Sequence, residues 1–503
     1  MRKIRIIGLM ASAAIGGGLI AAPAAAQGDD GARCEAVTGA MFDGSNVTAL
    51  YVDADAHSGL PAYCEVKGTL HPTAGSNIGV VYRLPVNWNG KLLGIGGGGW
   101  AGNVTLMAAS EGLKQNYATA QTDGGHPSTE VWDTSWTTSP DAVTDFAYRA
   151  INRMTVAGKA LVKAYYGRAQ QRAYFNGCST GGRMALMEAQ RFAEDYDGIV
   201  SGAPVYSLQV QASAVLRNNG FAKPGAGFTP ALLKLVNDSV LKACDSKDGL
   251  ADGLVGQPRA CSWKPATLAC KPGQSAETCL SKAQVSALET MYAGVRAPDG
   301  SWAQLPLSKG GEPLWGMFIN VSGGGTTAST GGGMPGLTKL LFGDRQVDFA
   351  QLDPNTDVPE ARASAFAKIY EATNPDLSAF FARGGRLILW HGESDPGPSP
   401  VGTLDYAKAV AKGDAKGAAD NLRTYLLPGV GHCRGGTGAD LVNWLGALDA
   451  WVDKGQAPGT LIATRADGAK TRPVCVWPQV AHYSGKGDAN DPTSWSCVAG
   501  AKE

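Results

Sequence analysis

Residues 173–182, which read AYFNGCSTGG, decide the fold of this chain of 503 residues. The first four residues are typical of a short strand, and apolar residues at helical spacing follow from Arg183 to Phe192. Ser179 stands between these segments in a Gly-x-Ser-x-Gly pattern. Such a strand–turn–helix is typical of a nucleophile elbow, whose glycines leave room for a sharp turn that lifts the serine hydroxyl clear of the sheet. The alternative interpretation is a glycine-rich turn without chemistry.

Further strand and helix patterns lie on both sides of this turn. Their alternation predicts a largely parallel sheet covered by helices. The predicted strands are 78–84, 91–95, 117–120, 387–390 and 425–427, and the predicted helices, besides the one after Ser179, are 141–166 and 440–454.

Residues 206–382 break this alternation. They contain four of the ten cysteines, an acidic loop and a low-complexity stretch from Ser322 to Gly336. A loop of that length without secondary structure is uncommon inside a compact domain. We therefore predict an α/β-hydrolase core formed by residues 27–205 and 383–503, with residues 206–382 inserted as a lid domain.

A serine hydroxyl needs a base that removes its proton and an acid that orients the base. In this fold the chain order is serine, acid, histidine, and three of the six histidines precede Ser179. His391 precedes the best candidate acid. His432 lies in a loop just after a predicted strand, which makes it the predicted base. His482, near the C-terminus, is the fallback.

The acid is expected where a late strand ends. Asp395 follows the predicted strand 387–390 and is the first candidate, with Glu393 as its close rival. An oxyanion hole needs backbone N–H groups beside the serine. We expect one from Thr180, directly after Ser179, and one from the glycine run 96–99, with Gly99 as the chosen residue.

The N-terminus has the pattern of a secretory signal peptide. Basic residues at positions 2, 3 and 5 precede an apolar stretch from Ile6 to Leu19, and an Ala-x-Ala site ends at Ala26. Residues 1–26 are therefore predicted to be removed on export, which leaves a secreted or periplasmic protein. No later stretch is apolar for long enough to suggest a membrane span.

The charge balance says little in favour of a large polyanionic partner. Lys plus Arg and Asp plus Glu both number 44, so there is no electrostatic reason to expect a nucleic acid or an anionic membrane surface. The expected partner is a small or neutral molecule.

Ten cysteines in an exported chain suggest five disulfides. A zinc site is the rival interpretation, but no Cys-x-x-Cys pair is present. Neighbouring cysteines suggest four pairs, which leaves Cys178 and Cys433 as a long-range pair flanking Ser179 and His432. The four neighbouring pairs are Cys34–Cys64, Cys244–Cys261, Cys270–Cys279 and Cys475–Cys497.

Residues 244–254, which read CDSKDGLADGL, form the acidic loop. Calcium favours carboxylates together with backbone carbonyls, and the loop differs in spacing from an EF-hand. On spacing alone, a calcium site and a solvated acidic turn are equally good interpretations. The candidate ligands are the carboxylates of Asp245, Asp248 and Asp252 and the carbonyls of Leu250 and Leu254.

Together these motifs resemble the tannase and feruloyl esterase family. The resemblance implies an α/β-hydrolase core, a lid that binds structural calcium, the triad Ser179, Asp395 and His432, and the disulfide between Cys178 and Cys433. It spans the chain from Cys34 to Cys497. Its motifs are residues 177–182, His391-Gly392-x-x-Asp395, Gly431-His432-Cys433, the acidic loop and Trp88-Asn89-Gly90.

The resemblance implies substrates that are esters of aromatic acids: feruloyl and related hydroxycinnamoyl esters, galloyl esters, or mono(2-hydroxyethyl) terephthalate. The terephthalate enzymes hold a free carboxylate with a lid arginine, and the corresponding segment here, Leu314 to Leu341, contains Trp315 but no arginine. Trp315 is interpreted either as a surface for the aromatic acid or as a core residue. Feruloyl esterase is the first expectation, ahead of tannase and terephthalate monoester hydrolase. The rivals are a peptidase or amidase with the same triad, and a catalytically silent binding protein.

Overall fold

Nine strands form the central sheet in the computed structural model, which describes residues 25–39, 41–42 and 45–501. In chain order the strands are β1 (Thr48–Val52), β2 (Tyr63–Leu70), β3 (Ile78–Pro85), β4 (Lys91–Ile95), β5 (Ala118–Thr122), β6 (Arg172–Cys178), β7 (Gly198–Gly202), β8 (Arg386–Gly392) and β9 (Leu422–Leu427). Across the sheet the order is β9-β8-β7-β6-β4-β5-β3-β2-β1. The first six in that order run parallel, and β3, β2 and β1 continue the sheet in antiparallel fashion.

The parallel strands are buried on both faces. In β8, Leu387 and Leu389 belong to one apolar cluster, whereas Ile388 and Trp390 belong to another on the opposite face, because successive side chains of a strand point to opposite sides. Burial on both sides explains why these strands are continuous apolar runs in the sequence. The helices outside the insertion are Ala25–Glu35, Leu106–Lys114, Pro140–Thr144, Ala150–Tyr166, Thr180–Arg191, Pro400–Gly413, Ala415–Asn421 and Trp444–Lys454, with a π-helical turn at Asp145–Arg149.

All five predicted strands are present, and the last predicted helix begins later than expected. It starts at Trp444, since Leu441–Val442 pairs as a short strand with residues 463–464 of the C-terminal region. The Asn443 side chain caps the helix by accepting the N–H of Gly446. The C-terminal region continues as the hairpins Leu461–Thr464 with Thr471–Val474 and Gln479–Tyr483 with Trp495–Ala499.

The segment 206–382, called the insertion below, lies between β7 and β8. It is largely helical, which its sequence pattern did not reveal, and it has an apolar cluster of its own that includes Phe221, Val236 and Trp315. Its helices are Leu208–Ala222, Pro230–Cys244, Lys282–Ala293, Thr338–Phe342, Asp357–Ala363, Ala365–Tyr370 and Ser378–Ala382, and Val295–Arg296 pairs with Trp302–Gln304.

The disulfide pairing is the one that the sequence predicted. Four bridges join cysteines separated by 9 to 30 positions, and the fifth joins Cys178 to Cys433 across 255 positions. Most of the predicted signal peptide, residues 1–24, lies outside the described residues. Among the described helices, none has the length and apolar character needed to span a bilayer.

Candidate active site

Ser179 lies at the turn between β6 and the helix Thr180–Arg191. Its backbone has φ 64° and ψ −125°, a conformation that is costly for a side-chain-bearing residue and that is often kept at functional sites. The turn is closely packed: a Cβ at Gly177 would lie 2.4 Å from the carbonyl oxygen of Gly181. The glycines of the motif are therefore needed for the turn, as the elbow interpretation predicts.

The three side chains predicted to form the triad converge. His432 Nε2 lies 2.8 Å from the Ser179 hydroxyl oxygen, and His432 Nδ1 lies 2.7 Å from Asp395 Oδ2. Both distances are hydrogen-bond lengths. The histidine is therefore placed to accept the serine proton while the carboxylate fixes its orientation.

The Asp395 carboxylate is buried, with 1% of the residue exposed. Its Oδ1 accepts the N–H of Gly397, and a second imidazole, that of His391, has its Nε2 3.2 Å from Asp395 Oδ2. Burial by itself would raise the pKa of Asp395, but the imidazoles of His432 and His391 outweigh it and lower the pKa to about 2. The carboxylate is therefore ionised throughout the neutral range.

His391 is a contact that sequence reasoning missed. It is fully buried, its Nδ1 lies 2.7 Å from the hydroxyl oxygen of Thr403, and its Nε2 also lies 3.2 Å from the carbonyl oxygen of Pro398. Because Nε2 faces two acceptors, it carries a hydrogen. His391 therefore donates toward the carboxylate that orients His432.

Residues of the insertion hold the loop after β8 in place. Arg217, on the helix Leu208–Ala222, donates to the carbonyl oxygens of Pro396 and Gly397 at 2.9 and 2.7 Å. Glu393, the rival acid, pairs instead with Arg259 of the insertion, with Arg259 Nη1 3.0 Å from Glu393 Oε2. The geometry therefore favours Asp395 over Glu393 as the partner of His432.

The two predicted oxyanion donors, Thr180 and Gly99, lie at the same cavity as Ser179. The Thr180 hydroxyl donates to the carbonyl oxygen of Gly99 at 2.8 Å, which ties the two segments together. Within the described part of the chain, neither backbone N–H donates to another protein group. The two N–H groups therefore stay predicted donors to a ligand oxygen.

The Cys178–Cys433 disulfide joins the loops that carry the serine and the histidine. Its cysteines directly precede Ser179 and directly follow His432. Cys433, like Ser179, has a positive φ, 63°. The bridge therefore fixes two unusual turns against each other at the site.

The fallback histidine, His482, lies in the C-terminal hairpin beside Gly249 of the acidic loop.

A largely apolar cavity opens at Ser179. Aromatic rings from both parts of the chain enclose it, and the ring of Phe318 meets the imidazole of His432 edge-on at 5.1 Å. No Lys, Arg, Asp or Glu is among its described lining residues. These are Gly99, Trp100, Trp132, Ser179, Thr180, Val205, Val210, Gln211, Ala214, Phe318, Gly332, Gly397, Pro398 and His432.

Trp315, the predicted substrate contact, is not at this cavity. Only 1% of the residue is exposed, and its ring packs against Phe221 and Tyr292 at centroid distances of 6.0 and 5.8 Å. Of the two interpretations of Trp315, this packing agrees with the core residue, because the short helical turn Glu312–Met317 directs its ring into the core of the insertion. Phe318, three residues later, is the aromatic residue of this segment that lines the cavity.

The acidic loop has the donor types that calcium requires, but its carboxylates do not form a closed site. Asp245 accepts three backbone N–H groups of the loop. Asp252 Oδ2 pairs with Arg472 and Lys470, and Asp252 Oδ1 is buried without a hydrogen-bond partner. Burial, with repulsion from the other two carboxylates, raises the pKa of Asp248 to about 6. Across the described residues, no three His, Cys, Asp or Glu side chains converge on a possible metal position, so calcium stays a prediction.

Comparisons with known proteins agree with this fold. The family model described as "Tannase and feruloyl esterase" matches residues 64–498. Mono(2-hydroxyethyl) terephthalate hydrolase from Piscinibacter sakaiensis is 33% identical, over 88% of this chain and 85% of that protein. A probable feruloyl esterase from Arthroderma benhamiae is 32% identical, over 84% and 82% of the two chains. The crystal structure of feruloyl esterase B from Aspergillus oryzae superposes with a TM-score of 0.82 at 28% identity, over 93% of this chain and 100% of that chain. The predicted α/β-hydrolase fold is confirmed.

Proposed function

Because the chain belongs to the tannase and feruloyl esterase family of carboxylic ester hydrolases, we propose that it hydrolyses feruloyl and related hydroxycinnamoyl esters through Ser179, His432 and Asp395. The observation that carries this proposal is the continuous chain of hydrogen-bond distances from the serine hydroxyl through the imidazole to the buried carboxylate. The same series of hydrogen bonds argues against a catalytically silent binding protein.

The proposed reaction has two acyl-transfer steps. His432 takes the proton of Ser179 as the serine oxygen attacks the ester carbonyl, and the N–H groups of Thr180 and Gly99 stabilise the oxyanion. His432 then gives the proton to the leaving alcohol, and the acyl-enzyme forms. In the second step His432 activates a water molecule, which releases the acid and restores the serine.

The lining of the cavity supports an aromatic, uncharged acyl group. Trp100, Trp132 and Phe318 offer ring surfaces, and offset or edge-on ring contacts stabilise aromatic ligands. A terephthalate monoester would bring a carboxylate into a cavity whose described lining contains no cationic side chain, and an unpaired buried charge is costly. This supports feruloyl over terephthaloyl specificity, although the terephthalate enzyme is among the similar relatives.

A panel of matched esters tests the proposal. We expect kcat/KM to be highest for methyl ferulate or methyl 4-hydroxycinnamate, lower for methyl gallate, and lowest for mono(2-hydroxyethyl) terephthalate. A matched 4-hydroxycinnamoyl anilide separates an esterase from an amidase. Preferred turnover of the terephthalate monoester or of the anilide would refute the proposed substrate class.

We also propose that the acidic loop binds a structural calcium ion through Asp245, Asp248 and Asp252 with carbonyls of Leu250 and Leu254. The unpartnered oxygen of Asp252 and the repulsion at buried Asp248 support this, since a cation would relieve both. The loop packs against the C-terminal region through the ion pairs of Asp252. The ion's effect is therefore expected on stability rather than on the chemical step.

We predict that removing calcium with a chelator lowers the melting temperature, and that adding calcium back restores it, because a ligand that binds the folded state stabilises it. Thermal unfolding with chelator, with calcium and with magnesium checks this. The Asp248→Asn variant should no longer respond to calcium. Identical melting curves in all three conditions would contradict the calcium site.

We further propose that the chain is exported to the periplasm or beyond the cell. The basic and apolar pattern of the first 26 residues supports this. So do the five disulfides, which persist in oxidising compartments.

A further inference from the structure

One polar side chain of the cavity has no place in the catalytic arrangement. Gln211 lies on the helix Leu208–Ala222 and lines the cavity together with Val210 and Ala214 of the same helix, and Ala214, three residues further on, lies on its face of the helix. Only 4% of Gln211 is exposed. Its Oε1 is buried without a hydrogen-bond partner, and such a group usually has one.

A second buried polar group, the Tyr370 hydroxyl, lies next to Gln211 but is not part of the described cavity lining. The Gln211 side chain lies close enough to act on this hydroxyl as a hydrogen-bonding group, although the contact lacks full hydrogen-bond geometry. Burial raises the pKa of Tyr370 to about 12, so the hydroxyl keeps its proton and can donate it in a hydrogen bond. The Tyr370 ring packs against that of Trp100, which lines the cavity, at a centroid distance of 5.4 Å.

Gln211 packs against Gly332. A Cβ at Gly332 would lie 3.7 Å from Gln211 Cγ, and the carbonyl oxygen of Gly332 accepts the indole N–H of Trp100 at 3.0 Å. Gln211 therefore lies beside the aromatic wall of the cavity, where the ring of a bound acyl group would pack. Apart from Ser179, Thr180 and His432, it is the only described lining residue with a side-chain amide or hydroxyl.

We propose that Gln211, positioned by the neighbouring Tyr370 hydroxyl, forms the subsite that recognises a ring hydroxyl of the aromatic acyl group. This inference rests on the proposed function. A phenolic hydroxyl both donates and accepts, so it can donate to Gln211 Oε1 or accept from the Gln211 amide, while the Tyr370 hydroxyl next to Gln211 positions that amide. An unsubstituted ring would leave the amide unpaired, and a site built for a hydroxyl discriminates strongly against the analogue that lacks it.

The test compares kcat/KM for methyl 4-hydroxycinnamate and methyl cinnamate, which differ only in the ring hydroxyl. We expect the wild type to prefer the hydroxylated ester by roughly tenfold to a hundredfold, and Gln211→Leu to bring the ratio close to one. Tyr370→Phe, which removes a single oxygen atom, should lower the ratio by a smaller factor and provides the test if Gln211→Leu fails to fold.

Gln209→Leu is the matched control. Gln209 lies on the same helix outside the described lining, with its Oε1 3.3 Å from the Ser207 hydroxyl oxygen, so the wild-type ratio should persist. A wild-type ratio near one, or an unchanged ratio in both Gln211→Leu and Tyr370→Phe, would overturn the inference. Equal hydrolysis of both esters would leave the proposed function intact, whereas hydrolysis of neither would refute the proposed function as well.

Discussion

Replacing Ser179 with alanine is expected to reduce hydrolysis of methyl ferulate by at least about 10⁴-fold. The hydroxyl oxygen is the group proposed to form the acyl-enzyme, and His432 Nε2, 2.8 Å away, is the proposed acceptor of its proton. The residual rate would come from the oxyanion donors and the cavity alone. Initial rates with methyl ferulate, measured for variant and wild type at equal concentrations of folded protein, check this.

Ser110→Ala is a suitable control for the Ser179 variant. Ser110 lies on the helix Leu106–Lys114, and its hydroxyl donates to the carbonyl oxygen of Met107 away from the cavity. Its activity should stay within about twofold of wild type, as expected for a surface substitution. If Ser179→Ala kept more than a few per cent of the wild-type rate, Ser179 would not be the nucleophile.

Removing the Cys178–Cys433 disulfide by a double alanine substitution is expected to destabilise the folded chain and to slow catalysis. The bridge closes a loop with a sequence separation of 255, and by loop-closure entropy constraining so long a loop in the unfolded chain corresponds to about 5.5 kcal/mol of unfolding free energy. Without the bridge, the turns that carry Ser179 and His432 would lose their mutual anchor. Because small misplacements of reacting groups are costly, kcat should fall by roughly tenfold to a hundredfold.

The matched control removes the Cys270–Cys279 bridge, whose sequence separation is 9. Constraining so short a loop corresponds to a smaller stabilisation, about 2.5 kcal/mol, and the bridge lies in the insertion away from the cavity lining. Denaturant unfolding and kcat for both double variants provide the comparison. Equal losses of stability, with kcat unchanged in both, would contradict the anchoring role of Cys178–Cys433.

The triad could be proposed from the sequence because chain order and strand ends limit the choices. Ser179 lies at a strand–helix turn that the glycines of its motif indicate, and His432 is a histidine that follows a late strand. Separating Asp395 from Glu393 needed coordinates. Both residues lie in the same short loop after β8, and the coordinates separate them because Asp395 contacts His432 whereas Glu393 pairs with Arg259.

Other parts of the site could not be predicted because they depend on which way a side chain points within the insertion. Trp315 and Phe318 are three residues apart, yet one packs into the core and the other lines the cavity. Gln211 and Arg217 look like ordinary polar residues of a helix in the sequence. Their positions, Gln211 at the cavity and Arg217 at the loop after β8, follow from the burial of the helix Leu208–Ala222 between these two parts of the site.

The identity of the nucleophile can be tested directly by labelling the folded protein with a serine-directed phosphonate and mapping the modified peptide by mass spectrometry. The arrangement of Ser179, His432 and Asp395 predicts a single adduct, on Ser179, whose formation is prevented by Ser179→Ala and slowed by Asp395→Asn. An adduct on a different serine, or an unlabelled protein that still hydrolyses methyl ferulate, would contradict it.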